Sequence, residues 1–104
     1  MTDTCVIVVR RGALHFSSQV YERYFHGLDN VVLLRDGTAL FVMPVRHAGA
    51  GGYVIKLRNG KGDRAIVAAD FFRDCGIEDD VELTLPASWS DQHAALIAYD
   101  ALPC

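Results

Sequence analysis

Little in this sequence points to redox, metal or covalent chemistry. Its three cysteines, Cys5, Cys75 and Cys104, are odd in number, widely separated and never spaced Cys-x-x-Cys. A disulfide framework and a zinc site therefore have no pattern to rest on, and the thiols read as buried or incidental. The four histidines, His15, His26, His47 and His93, are never four residues apart, which excludes a metal pair on one helical face. There is no Gly-x-Ser-x-Gly, no P-loop and no dinucleotide glycine pattern. The glycine-rich run from Ala48 to Gly52 lacks a Gly-Lys-Ser/Thr ending and leads into a strand rather than a helix. Ser88, Ser90, Asp91 and His93 lie close in sequence, but proximity along the chain is not triad geometry. The expectation is a protein that is not an enzyme and holds no cofactor or metal.

Long apolar runs are also missing. Nothing approaches the roughly 18 residues of a membrane span. The apolar run at residues 5–9 is too short for a signal peptide and is closed by Arg10 and Arg11. The expected location is the cytoplasm, with no membrane partner.

What is present is an ordinary folded composition in 104 residues, 51% hydrophobic and 22% charged, enough for one domain with a modest core. The net charge of −3 hides an uneven distribution. Residues 1–45 balance; residues 46–64 carry Arg46, Lys56, Arg58, Lys61 and Arg64 against Asp63 alone; residues 65–104 carry Arg73 against eight acids. A basic middle and an acidic C-terminal part make an electrically polar molecule.

Strand signals dominate the chain. Cys5–Arg10 reads as a buried strand with Val6, Ile7, Val8 and Val9 as a continuous β-branched run, Arg11-Gly12 turns it, and Ala13–Phe16 returns. Ser17 or Ser18 can cap a helix that runs to about His26, with Val20, Tyr21, Tyr24 and Phe25 on its apolar face and Gly27 at its end. Val31–Arg35 and Thr38–Val45 read as a hairpin across Asp36-Gly37. Arg46–Gly52 reads as a mobile linking loop. Tyr53–Arg58 and Arg64–Val67 then flank the turn Asn59–Gly62. A short helix over Asp70–Cys75 packs Phe71 and Phe72 and ends at Gly76. Val81–Leu85 is a strand, Pro86–His93 a connection carrying Trp89, and Ala95–Tyr99 the last strand.

The second half repeats the first. Phe16-Ser17-Ser18 aligns with Val67-Ala68-Ala69, Val20-Tyr21 with Phe71-Phe72, and Gly27-Leu28-Asp29 with Gly76-Ile77-Glu78. Val31 and Leu33 align with Val81 and Leu83. The expected fold is mostly β (α+β), a small barrel built from a duplicated β-β-α-β-β unit. The units span about 4–45 and 53–100 of a single domain over 1–104, joined by the loop 46–52.

These residues, best of all Lys61–Val67 and Gly76–Leu83, resemble the swapped-hairpin barrel of the AbrB and MraZ families of bacterial transcription regulators and antitoxins. The chain departs from them at the strand-to-helix junction, where Ser17 and Ala68 stand in place of the usual proline. It departs again where Asp63 splits Gly62 from Arg64 and where Ala13 follows Gly12. The resemblance implies a small DNA-binding regulator, expected to form a homo-oligomer, that touches DNA through cations at the turns before the helices: Arg10, Arg11, Arg58, Lys61 and Arg64. Cations at glycine-bearing turns can approach phosphates and release counterions, and Asn59 can add a base-edge contact. Against this, a pI of 5.7 is low for a nucleic-acid binder. The alternative is a non-enzymatic adaptor whose acidic stretch from Asp70 to Asp91 meets a basic protein partner.

Overall fold

The computed structural model describes residues 4–46 and 52–103. Residues 47–51 of the expected linking loop, with His47, and the terminal Cys104 lie outside the described residues. The strands are β1 (Thr4–Arg10), β2 (Ala13–Phe16), β3 (Asn30–Asp36), β4 (Ala39–Val45), β5 (Tyr53–Val54), β6 (Lys56–Leu57), β7 (Arg64–Val67), β8 (Glu82–Ser90) and β9 (Ala95–Ala98). Two helices, α1 (Ser18–Tyr24) and α2 (Ala69–Asp74), follow β2 and β7.

All pairing is antiparallel, in the order β5-β3-β4-β9-β8-β1-β2-β7-β6. β5 and β6 are adjacent in sequence, separated only by Ile55, yet they occupy opposite ends of that order. Tyr53 and Val54 pair with β3, while Lys56 and Leu57 pair with β7. One kinked segment thus touches both edges, and the sheet is a nearly closed barrel. Ile55 anchors the kink: it is buried, and its amide donates to the Asp29 carbonyl at 2.7 Å.

The alternation of side chains fixes what fills the barrel. Ile7, Val9, Leu14, Phe16, Val31, Leu33, Leu40, Val42 and Ile66 point inward and are buried together with Phe25 at the end of α1 and Phe72 within α2. Exchanging β1, β2, β3 and β4 with the 53–57 segment, β7, β8 and β9 leaves the set of paired strands unchanged.

The helices are held by the opposite half of the chain. Gly12 has φ +72°, and its carbonyl accepts from the Ala68 amide at the start of α2. A Cβ there would lie 2.7 Å from the Ala69 Cβ. Gly62 has φ +89°, and a Cβ on it would lie 3.1 Å from the Ser18 Cβ at the start of α1. Both positions need glycine for the left-handed backbone and for the close approach.

Several sequence expectations are corrected. α1 stops at Tyr24 with Phe25 as its cap, short of His26, because the Leu28 amide turns back to the Phe25 carbonyl. Of the two serines expected to cap α1, Ser17 is the N-cap, accepting from the Val20 amide. Asp36 pairs with Ala39, so the hairpin turn is Gly37-Thr38. Tyr53–Arg58 is broken at Ile55. The largest correction is β8, which runs through Pro86 and Trp89 to Ser90 where a connection was expected. β9 pairs only with Ser88–Ser90. At Pro86 the strand therefore has an edge without a partner, the setting that accommodates a residue with no N–H. Trp89 is half-buried and stacks on Tyr24 at 5.1 Å.

Candidate nucleic-acid interface

The turn between β6 and β7 is built around Asn59 and Asp63. The Asn59 Oδ1 accepts from the Lys61 amide at 2.9 Å and from the Asp63 amide at 3.3 Å. Its Nδ2 donates to Asp63 Oδ2 at 3.1 Å. The other Asp63 oxygen accepts from the Ser18 amide at 3.0 Å. The Arg58 amide donates to the Asp63 carbonyl at 2.8 Å, which sets where the Arg58 side chain leaves the turn. Asn59 thus has a defined local task in shaping the turn.

Register then brings distant cations together. Val8 pairs with His15, and His15 with Ala65, which pairs with Lys56. Arg10 stands two residues along β1 from Val8 and so projects on the same outer face. The result is a cleft of about 260 Å³ lined by Val6, Val8, Arg10, His15, Ser17, Arg58, Asp63 and Glu82, with Phe16 at its base. Arg10 and Arg58 thus share one cleft, although 48 residues separate them in the chain.

The electrostatics of the cleft centre on His15. Burial, then the Arg58 and Arg10 charges, hold its imidazole below the usual histidine range. The His15 Nδ1 is buried and has no hydrogen-bond partner among the described residues. The two acids are partly committed elsewhere. Asp63 is held below the usual carboxylate range by the Asn59 side chain first and the Ser18 amide second. Glu82 meets Arg10 at 3.5 Å in a solvent-exposed contact, which is worth little in water.

The remaining expected contacts separate. Lys61 is exposed on the same turn as Arg58. Arg11, at φ +52°, lies on the other side of Arg10, in a second cleft lined by Asp79, Asp80, Val81 and Glu82. Arg64 turns inward: its guanidinium carbon sits 3.9 Å from the centre of the Tyr21 ring, and its buried Nε lacks a hydrogen-bond partner among the described residues. Sequence reading missed His15, Ser17 and Lys56. The signal was available for His15, because alternation with Leu14 and Phe16 places it on the outer face.

Among the described residues, no group of three or more His, Cys, Asp or Glu side chains could hold a metal ion, and no helix is long and apolar enough to cross a membrane. Comparison with protein-family models, with curated proteins and with solved structures gives no match.

Proposed function

We propose that this chain is a small DNA-binding regulator of transcription, or an antitoxin-like protein, that works in the cytoplasm as a homo-oligomer. The interface is the outer face of β1, β2 and β7 with the turn at residues 58–63. The observation that carries this reading is the convergence of Arg10 and Arg58 in one cleft, with Lys61 on the adjoining turn. Lys56 extends the same outer face. Cations fixed on strand ends and a rigid turn can hold a phosphate backbone in register. The resemblance to AbrB- and MraZ-like barrels supports the same surface. Within it, Arg10, Arg58 and Lys61 are phosphate contacts and Asn59 contributes a polar edge; Arg11 adds a phosphate contact from the neighbouring cleft, whereas Arg64 acts through packing.

The test is a fluorescence-anisotropy titration against the DNA upstream of the protein's own gene, at two salt concentrations. Binding should beat random DNA and weaken with salt, losing about 0.9 logarithmic units per decade of salt for each phosphate neutralised. No binding at low salt overturns the reading.

A second reading, an adaptor that binds another protein, is favoured by one observation. Leu34, Phe41 and Ile97 form a row across β3, β4 and β9 on the outside of the barrel. Phe41 and Met43 pack there over buried Ala39, Ala95 and Ile97, beside exposed Tyr99. A stoichiometric protein partner recovered without nucleic acid would favour this reading.

A further inference from the structure

We propose that the Arg10–His15–Arg58 cleft is a discrete oxyanion site that takes a single tetrahedral phosphate-class group. The argument begins with donors. Arg10 comes from the end of β1, His15 from β2, Ser17 from the cap of α1 and Arg58 from the segment after β6, and all four line the same cavity. Arg58 is exposed and faces Asp63 through its charge, and the buried His15 Nδ1 has no hydrogen-bond partner among the described residues. The Ser17 Oγ accepts from the Val20 amide, which leaves its proton free to be donated into the cleft. Two guanidiniums, an imidazole and a hydroxyl line the cavity against two carboxylates, of which Asp63 already accepts from the Ser18 amide and Asn59 and Glu82 makes one long contact to Arg10, so donors outnumber free acceptors. A tetrahedral oxyanion supplies several acceptor oxygens at once, and arginine forks match that geometry.

The charges facing His15 are Arg10 on β1, Arg58 after β6, Lys56 across β7, Asp63 on the turn and Glu82 on β8. Asp63 already accepts from the Ser18 amide and from Asn59, and Glu82 has only its long contact to Arg10. An anion seated between the guanidiniums offsets the Arg58 and Arg10 charges that, after burial, disfavour protonation of His15. Its imidazole then takes up a proton and becomes a second ring donor, so binding and protonation reinforce each other. The pocket is held by sheet register and by the Asn59–Asp63 turn, so it is formed before the anion arrives.

The oxyanion has two possible sources, a phosphate of a DNA backbone or a free phosphate or phosphomonoester. Only the first rests on the DNA-binding reading. The experiment follows the His15 ring signals and, in every variant, the backbone amide signals of residues lining the cleft, by NMR in the full-length protein, titrated with sodium sulfate and with methyl phosphate at about pH 6 and about pH 8, where histidine changes charge. Ionic strength is held constant with chloride. Sulfate keeps its charge between these values, which isolates the His15 contribution. The expected result is a saturable shift whose affinity rises as pH falls, by up to about tenfold per pH unit for one proton taken up. In His15→Gln, binding should persist and the pH dependence disappear; in Arg58→Gln, saturation should be lost while the fold, read from the amide spectrum, is kept. No saturable shift at either pH, or an equal response to chloride, overturns the site.

A second arm asks about source. Methyl phosphate competing with duplex DNA supports a backbone phosphate in this cleft. DNA and methyl phosphate bound together support a free-anion site. Saturation by sulfate with no DNA binding at low salt supports the oxyanion site and removes the DNA-binding function.

Discussion

The Asp63 carboxylate accepts the Ser18 amide proton at 3.0 Å across 45 residues of chain. An acid from the β6–β7 turn thereby satisfies an orphan donor in the first turn of α1, a helix of only seven residues that Ser17 alone cannot fully cap. This contact joins the two halves of the sequence at the rim of the candidate site, and its removal should be felt in both.

Asp63→Ala should lower the thermal midpoint and reduce amide protection at Val20 and Tyr21, measured by hydrogen exchange. The carboxyl is depressed in the folded state, so the unfolded chain binds its proton more readily. Its stabilisation is therefore complete above the unfolded value of about 4 and is lost as pH falls through the lower folded value. Denaturant midpoints of wild type and Asp63→Ala should converge in that acidic window; a constant gap would refute the assignment.

His15 follows the same sign by the opposite chemistry. Its folded imidazole resists protonation, so the unfolded chain binds more protons as pH falls below about 6.5. The neutral-ring contribution is present above that value and is lost progressively toward the depressed folded value. Without bound anion, His15→Gln should flatten the fall in stability between about pH 7 and pH 5, read from urea midpoints.

Gly12 and Gly37 both have positive φ, but only Gly12 is crowded: a Cβ would meet Ala69, whereas nothing lies within 4 Å of Gly37. Gly12→Ala should cost about 2–4 kcal/mol, combining backbone strain with overpacking. Gly37→Ala should cost about 1–2 kcal/mol from strain alone. Equal costs would mean that the approach of β1–β2 to α2 is not tight.

Arg64 and Arg58 should behave oppositely. Arg64 lies over the Tyr21 ring, and Arg64→Ala should cost roughly 1–2 kcal/mol of stability, since a partly desolvated cation–π contact and its packing are lost. Its DNA affinity per folded molecule should be unchanged. Arg58→Ala should leave the unfolding midpoint in place and flatten the salt dependence of DNA binding. A reversed pattern would move Arg64 into the interface.

The outer row on β3, β4 and β9 gives a test of assembly. Leu34 is 46% exposed beside Phe41, so Leu34→Glu should leave the monomer folded. Sedimentation should show a smaller species if copies meet at this row, and the wild-type distribution if they meet elsewhere.

The mostly-β architecture was legible because its signals are local. β-branched runs marked β1, β3 and β4, and the turns at Gly12 and Gly62 placed β2 and β7 to the residue. β8 was misread because Pro86 breaks a strand pattern, and its acceptability depends on how far β9 extends, which is a tertiary fact. The kink at Ile55 was equally hidden: Tyr53–Leu57 alternates like one strand, and only the closing geometry divides it between two edges. For the candidate site, cation positions could be named but not their company. Arg10 and Arg58 share a cleft through the β1–β2–β7 register, whereas Arg64 differs from them only in facing the interior, where Tyr21 receives it.

The short segment from Tyr53 to Leu57 acts as a clasp. It contributes few ladder bonds, yet β3 and β7 both depend on it for a neighbour on their outer side. Its release would bare two sheet margins in one event, each an open template for another chain. Cover for both margins therefore rests on how firmly the buried Ile55 holds this small fastening in place.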